Sequence, residues 1–224
     1  MACNALVLGA TGLCGSALLK YAAANAAFDS VATITRKELQ GSQAEKVRST
    51  VEKDSTKWAD LIPDDISVIF SALATTKADA GGKEAFYKFD HDFNLELAKS
   101  AKNKGCKTFV LVSSIGADVN SSFFYLKTKG DLERDILALN FDKTIFLRPG
   151  ALLGERVKGK GLFNSMFAKV GGLFYNTRFQ AFGGHPVYGD EVGKAGVILA
   201  LDSSITEKSH IAKANEIVAL ASKA

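Results

Sequence analysis

The sequence has few of the residues that mark metal, secreted or membrane proteins. Its three cysteines, Cys3, Cys14 and Cys106, have neither metal-ligand nor disulfide spacing, and they fit a reducing compartment. The three histidines, His91, His185 and His210, are scattered, so no ligand set forms and no metal is expected. No apolar run is long enough to cross a bilayer. The first strand begins by residue 4 or 5, which predicts no cleavable leader ahead of the fold. Internal repeats and low-complexity segments are absent. A charge excess is missing too: 28 basic residues stand against 24 acidic ones, a net +4. With no dense basic run beyond the small loop of Arg156, Lys158 and Lys160, no nucleic-acid partner is expected. The acidic pair Asp190-Glu191 opens a predicted helix, where dipole stabilisation accounts for it without a carboxylate hydrolase.

What is present begins at once. Asn4 to Leu8 is a short apolar run, read as a buried strand, and Gly9-Ala10-Thr11-Gly12-Leu13-Cys14-Gly15 follows it. An Ala/Leu-rich helix is predicted from Ser16 to about Asn25. Strand, glycine loop and helix together suit a dinucleotide pyrophosphate, which needs bare backbone N–H groups and the positive end of a helix dipole. Gly9 would allow the tight turn, Gly12 the close approach of phosphate, and Gly15 close helix packing. The spacing is G-x-x-G-x-x-G, one residue wider at its start than G-x-G-x-x-G. At 224 residues, the chain is read as one α/β domain over 1–224, a Rossmann-type doubly wound parallel sheet.

Further strands are predicted at Val31–Thr35, Lys46–Val51, Ile66–Phe70, Lys107–Val112 and Lys143–Leu147. The end of the second strand bears on cofactor choice. An NAD site usually places Asp or Glu there for the ribose hydroxyls, but this chain has Arg36-Lys37. A guanidinium can bind a 2′-phosphate bidentately, so NADPH is the expected cofactor. Glu38 stands close enough that a small register shift would bring an acid to the ribose. Loops at strand C-termini line the ligand crevice in such sheets, which puts Leu73 and Ala74 beside the adenosine. One long helix is expected from Lys83 to Lys104, ending at Gly105, with Phe86, Phe93, Leu97 and Ala101 as its packing stripe.

The fifth strand delivers Ser113 and Ser114 to the sheet edge, and Tyr125 and Lys129 follow after a polar loop. In a helix, those two lie on one face. Carbonyl reduction needs a hydride donor and a proton donor acting at one carbonyl group. A phenol, with an ordinary pKa of about 10, becomes a usable proton donor when an ammonium stabilises its phenolate. Lys129 can also bond the cofactor ribose, and Ser114, with Ser113 close behind, can hold the substrate oxygen. The Phe- and Gly-rich stretch 155–185 is read as an irregular substrate-side segment. Its aromatics (Phe163, Phe167, Phe174, Phe179 and Phe182) are open to packing, pocket or membrane-surface roles. A helix over Asp190–Leu201, with Val192, Ala195, Val197, Ile198 and Leu201 inward, a strand over Ser209–Ala212 and a last helix over Asn215–Ala221 complete the reading.

The glycine loop, Val112-Ser113-Ser114, Tyr125-x-x-x-Lys129 and Arg148-Pro149-Gly150 resemble the atypical short-chain dehydrogenase/reductases. Leu73-Ala74-Thr75-Thr76-Lys77, Asp90-His91-Asp92, and Pro186 to Lys194 extend the likeness over nearly the whole chain. It is nearest to a fungal mitochondrial branch and more distant from a mammalian Tat-interacting oxidoreductase branch. The resemblance implies NADPH held by Thr11, Gly12, Leu13 and Cys14, by Arg36 and Lys37 at the 2′-phosphate, and by Leu73 and Ala74. It implies Tyr125 and Lys129 as the catalytic pair and Leu152 near the nicotinamide; Lys160 falls where the mammalian branch has arginine. It also implies peripheral association with the cytosolic face of the mitochondrial outer membrane, from an otherwise cytoplasmic location. A homodimer through the long helices is compatible with the class. The expected activity is reduction of a small carbonyl substrate. Two alternatives stay open: an NADPH-binding regulatory protein with little turnover, and an isomerase or dehydratase using bound nucleotide.

Overall fold

The computed structural model describes residues 3–41, 44–154 and 185–223. Strand β1 (Asn4–Leu8) is buried along its whole length. Its side chains alternate between two cores. Ala5 and Val7 join one cluster, while Leu6 and Leu8 join the other. Strands β2 (Ser30–Thr35), β3 (Val47–Val51), β4 (Ile66–Ser71), β5 (Thr108–Val112), β6 (Lys143–Arg148) and β9 (Ser209–Lys213) complete a sheet of order β3-β2-β1-β4-β5-β6-β9. Every pairing in it is parallel. The order reverses direction between β1 and β4, which opens a crevice at the strands' C-terminal ends. A separate two-stranded parallel sheet joins β7 (Leu152–Leu153) to β8 (Val187–Tyr188).

Helices cover both faces. On one face lie α1 (Leu13–Ala24), α6 (Gly189–Leu201) and α7 (Ala214–Ser222), over Ala5, Val7, Val68, Phe70, Val110 and Ile145. On the other lie α4 (Asn94–Asn103) and α5 (Phe124–Ala138), over Leu6, Ile69, Phe109 and Phe146. Burying a side chain such as Phe109 stabilises the fold by about 1.5–3 kcal/mol. Helix α6 sits so close to α1 that a Cβ at Gly193 would be 2.5 Å from that of Ala17. A Cβ at Gly196 would lie 2.9 Å from a Leu18 methyl. Asp190, at the start of α6, ties the two helices together by accepting from Lys20 Nζ at 2.8 Å and Tyr21 Oη at 2.5 Å. Burial works against the Asp190 carboxylate, but those two donors outweigh it and hold its pKa below the usual value.

Three sequence expectations need correction. Helix α1 starts at Leu13, not Ser16, because Gly12 already serves as its N-cap and takes the Ser16 N–H at 2.8 Å. The helix expected over Lys83–Lys104 follows a short α2 (Lys77–Ala80) and runs unbroken to Asn103, but its middle, Lys88–Phe93, is a π-helical turn between α3 (Lys83–Tyr87) and α4. The wider turn lets Asp90 and Asn94 both point at the sheet edge, as the site shows below. On α6, Leu199 is buried and Ile198 only partly so, the reverse of an inward Ile198. The end expected at Gly105 is present, with φ +85° and Cys106 N–H donating to the Ala101 carbonyl at 3.0 Å.

Candidate functional site

The glycine loop closes on itself at the end of β1. Gly12 N–H donates to the Gly9 carbonyl at 2.9 Å. Gly9 has φ +80°, and a Cβ there would lie 2.7 Å from the Ala72 carbonyl oxygen at the end of β4. A Cβ at Gly15 would lie 2.0 Å from the Gly9 carbonyl oxygen. Both positions exclude any side chain. Among the described residues no side chain caps the start of α1, and no acidic residue sits in its first turn. The positive end of α1 therefore faces the crevice without a built-in counter-charge. The Cys14 side chain itself points into the core, while Leu13 lies against Gly154 and Gly189.

A cavity of about 210 Å³ opens beside this loop. Gly9, Ala10 and Thr11 form one side, and Ile34, Thr35 and Arg36 from the end of β2 form another. Lys53, Ser55, Trp58, Phe89, Phe93 and Leu73 complete it. Among the described residues no carboxylate lines it. The aromatic wall is packed: the Trp58 and Phe93 rings are 5.7 Å apart, Phe89 and Phe93 5.6 Å. Arg36 also borders a second cavity of about 230 Å³, which Ala74, Thr75, Asp79 and Phe89 help to line. Of the residues expected at the cofactor, Gly9 and Thr11 of the glycine loop, Arg36 at the 2′-phosphate, and Leu73 and Ala74 at the adenosine thus border these cavities. Lys37 and Glu38 are exposed and border neither.

The catalytic candidates lie along α5. Tyr125, in its first turn, is 44% exposed, and its ring is 6.1 Å from that of Phe86. Lys129 is only 1% exposed. Its Nζ lies 2.9 Å from Oδ1 of Asp90, which is fully buried. The two atoms are at ion-pair distance without hydrogen-bond alignment, and neither has another partner among the described residues. The other oxygen of Asp90 accepts the Thr75 N–H at 2.8 Å, joining Lys129 to the loop after β4. Asn94 braces the same place. It accepts from Ser71 Oγ at 2.6 Å and donates to the carbonyls of Phe89 and Asp90 at 3.3 Å. Helix α5 can approach the loop after β5 because residue 130 is glycine; a Cβ there would be 2.3 Å from the Asp118 backbone.

The two serines separate cleanly. Ser113 is buried and donates to Glu133 Oε1 at 2.5 Å, and Arg148 holds Glu133 through two further bonds of 3.0 and 2.5 Å. Ser114 is half-buried, and among the described residues its hydroxyl bonds only the neighbouring Ile115 carbonyl, at 3.2 Å. Leu152 sits in β7, beside the segment that Leu13 covers. Lys160 and the aromatics from Phe163 to Phe182 lie outside the described residues.

Sequence reasoning missed Lys53, Trp58, Phe89, Asp90 and Asn94. A usable signal existed for two of them: Asp90 and Asn94 are polar residues four apart, interrupting the apolar stripe Phe86–Leu97–Ala101. Lys53 is brought to the cavity by the β2–β3 pairing.

Comparison with known proteins fits this geometry. A family model described as HIM1 matches residues 40–170. A Kluyveromyces lactis protein named "Protein FMP52, mitochondrial" is 56% identical over 220 residues, covering 97% of this chain and 98% of its own. Among solved structures, MoeE5 in complex with UDP-glucose and NAD aligns with a TM-score of 0.68 at 17% identity, over 98% of this chain and 81% of that one. A short chain dehydrogenase family protein from Francisella tularensis subsp. tularensis SCHU S4 aligns at 0.66 and 14% identity, over 96% and 99%. At such identities, these structures speak to the fold, which is of the Rossmann type they share.

Proposed function

This chain belongs to the HIM1 family, and from the crevice described above we propose that it is an NADPH-dependent oxidoreductase acting on a small carbonyl compound. The observation that carries the reading is the 210 Å³ cavity, walled by the glycine loop, bordered by Arg36 and, among the described residues, lined by no carboxylate. A glycine cradle that a Cβ would fill, next to a cationic pocket, suits a dinucleotide bearing a 2′-phosphate. The backbone of Gly9, Thr11, Gly12, Leu13, Cys14 and Gly15 would hold the pyrophosphate. Arg36, with Lys37 or another cation, would hold the 2′-phosphate, and Leu73 and Ala74 would face the adenosine. Leu152 would lie at the nicotinamide end.

When bound there, NADPH would supply the hydride for the carbonyl carbon. Tyr125 donates its hydroxyl proton to the carbonyl oxygen as charge develops there. The Lys129 ammonium stabilises the phenolate left behind, and Asp90 holds that ammonium in place. Ser114 donates to the substrate oxygen and orients it, a role left to it because Ser113 is committed to Glu133. The relatives' names place them in mitochondria, and we assign this chain there too, as a peripheral protein of the outer membrane's cytosolic face.

A carbonyl-substrate screen with NADPH consumption as readout tests the activity. Tyr125→Phe should abolish turnover while leaving NADPH affinity unchanged. Turnover that survives Tyr125→Phe, or proceeds without net NADPH consumption, would overturn the mechanism.

A further inference from the structure

Strands β2 and β3 pair in parallel, with Thr35 opposite Val51. The ladder continues one step further, where Glu52 N–H donates to the Thr35 carbonyl at 2.8 Å. Arg36 and Lys53 therefore leave neighbouring strands at the same edge of the sheet, and both border the 210 Å³ cavity. Lys37 follows Arg36 in sequence, but its carbonyl accepts Thr35 Oγ1 at 2.7 Å in the turn, and its side chain borders neither cavity.

The acids flanking Lys53 are engaged locally. Glu52 Oε1 accepts the Asp54 N–H at 2.8 Å. Asp54 Oδ1 accepts from Thr56 N–H at 3.1 Å and Thr56 Oγ1 at 2.6 Å. Trp58 Nε1 donates to the Glu52 carbonyl at 3.0 Å, which pins the segment beneath the cavity. Among the described residues neither Arg36 nor Lys53 has a carboxylate partner. Two unneutralised cations bordering one small cavity repel each other, and an anion carrying two charges relieves that repulsion.

Resting on the NADPH reading above, we infer that Lys53, rather than Lys37, is the second cation on the adenosine 2′-phosphate. Arg36 supplies the bidentate contact, Lys53 a point charge from the opposite strand, and Ser55 a neutral donor beside it. The nearby Trp58–Phe93 wall gives the adenosine an aromatic surface.

Binding calorimetry with NADPH, NADH, adenosine 2′,5′-bisphosphate and AMP tests the assignment on wild type, Lys53→Ala, Lys53→Arg and Lys37→Ala. Lys53 is exposed, so its variants should fold, which circular dichroism checks. Lys53→Ala should weaken NADPH and the bisphosphate by about tenfold or more, the loss expected for one charge-assisted contact. NADH and AMP should be unchanged, Lys53→Arg should keep most of the affinity, and Lys37→Ala should bind as wild type does. Equal losses for NADPH and NADH, or an NADPH preference that survives Lys53→Ala, would overturn this inference alone. A wild type without preference for NADPH over NADH would overturn the cofactor reading and this inference with it.

Discussion

The Lys129–Asp90 pair makes a sharp stability prediction. Its atoms are 2.9 Å apart and its side chains 1% and 0% exposed. At an effective dielectric constant of about 20, the attraction is roughly 6 kcal/mol. Removing each ion from water costs several kcal/mol, so the intact pair is close to neutral for folding. Breaking it is different. Asp90→Ala leaves a buried ammonium with no partner among the described residues, and should cost about 3–5 kcal/mol. Lys129→Met should cost less, because Asp90 keeps its bond from the Thr75 N–H. Asp90→Ala with Lys129→Met removes both charges and should cost clearly less than the two single losses together. Urea unfolding is the assay. With a slope of about 2–3 kcal/mol/M, Asp90→Ala should lower the midpoint by about 1–2 M. A change below about 1 kcal/mol in Asp90→Ala, or single-variant losses that simply add in the double, would refute the buried pair.

Other expectations follow from the same packing. Gly15→Ala places a methyl against the Gly9 carbonyl; it should weaken nucleotide binding by about tenfold or more, and unchanged affinity would mean that the loop does not cradle the phosphates. Arg134, hydrogen-bonded to Asp135, holds that carboxyl below its usual range, assisted by His91. A depressed folded pKa gives stability that is present above the unfolded value of about 3.9 and lost as pH falls through the folded value. Asp135→Asn should therefore flatten part of the acid limb of stability, read from urea midpoints below about pH 4; an unchanged limb would contradict this. Burial pushes the Cys106 thiol up to about 12. Cys106 should resist alkylation in the native protein at mildly alkaline pH and react once unfolded, as mass spectrometry of the modified peptides would show; prompt native modification would contradict its burial.

The strands were legible because parallel strands covered on both faces read as continuous apolar runs. The loop from Gly9 to Gly15 was legible for a related reason: positions with no room for a Cβ admit only glycine. The π-helical turn was not, since residues 83–104 favour helix throughout and the wider turn is stabilised by Asp90 and Asn94 reaching Thr75 and Ser71. Lys53 was hidden because it is brought to Arg36 by the β2–β3 register, across seventeen positions of chain. That Ser113 is tied to Glu133 was hidden as well, because Glu133 lies a helix away. Gly193 and Gly196 looked like ordinary helix residues until α1 was seen against them.

The central claim is selective NADPH binding in the crevice beside Arg36. Calorimetric titration of the wild type and Arg36→Ala with NADPH and NADH tests it most directly. The account predicts that wild type prefers NADPH and that Arg36→Ala loses about tenfold or more of that affinity, with NADH little changed. Binding of neither nucleotide, or equal binding of both by wild type and variant alike, would contradict it.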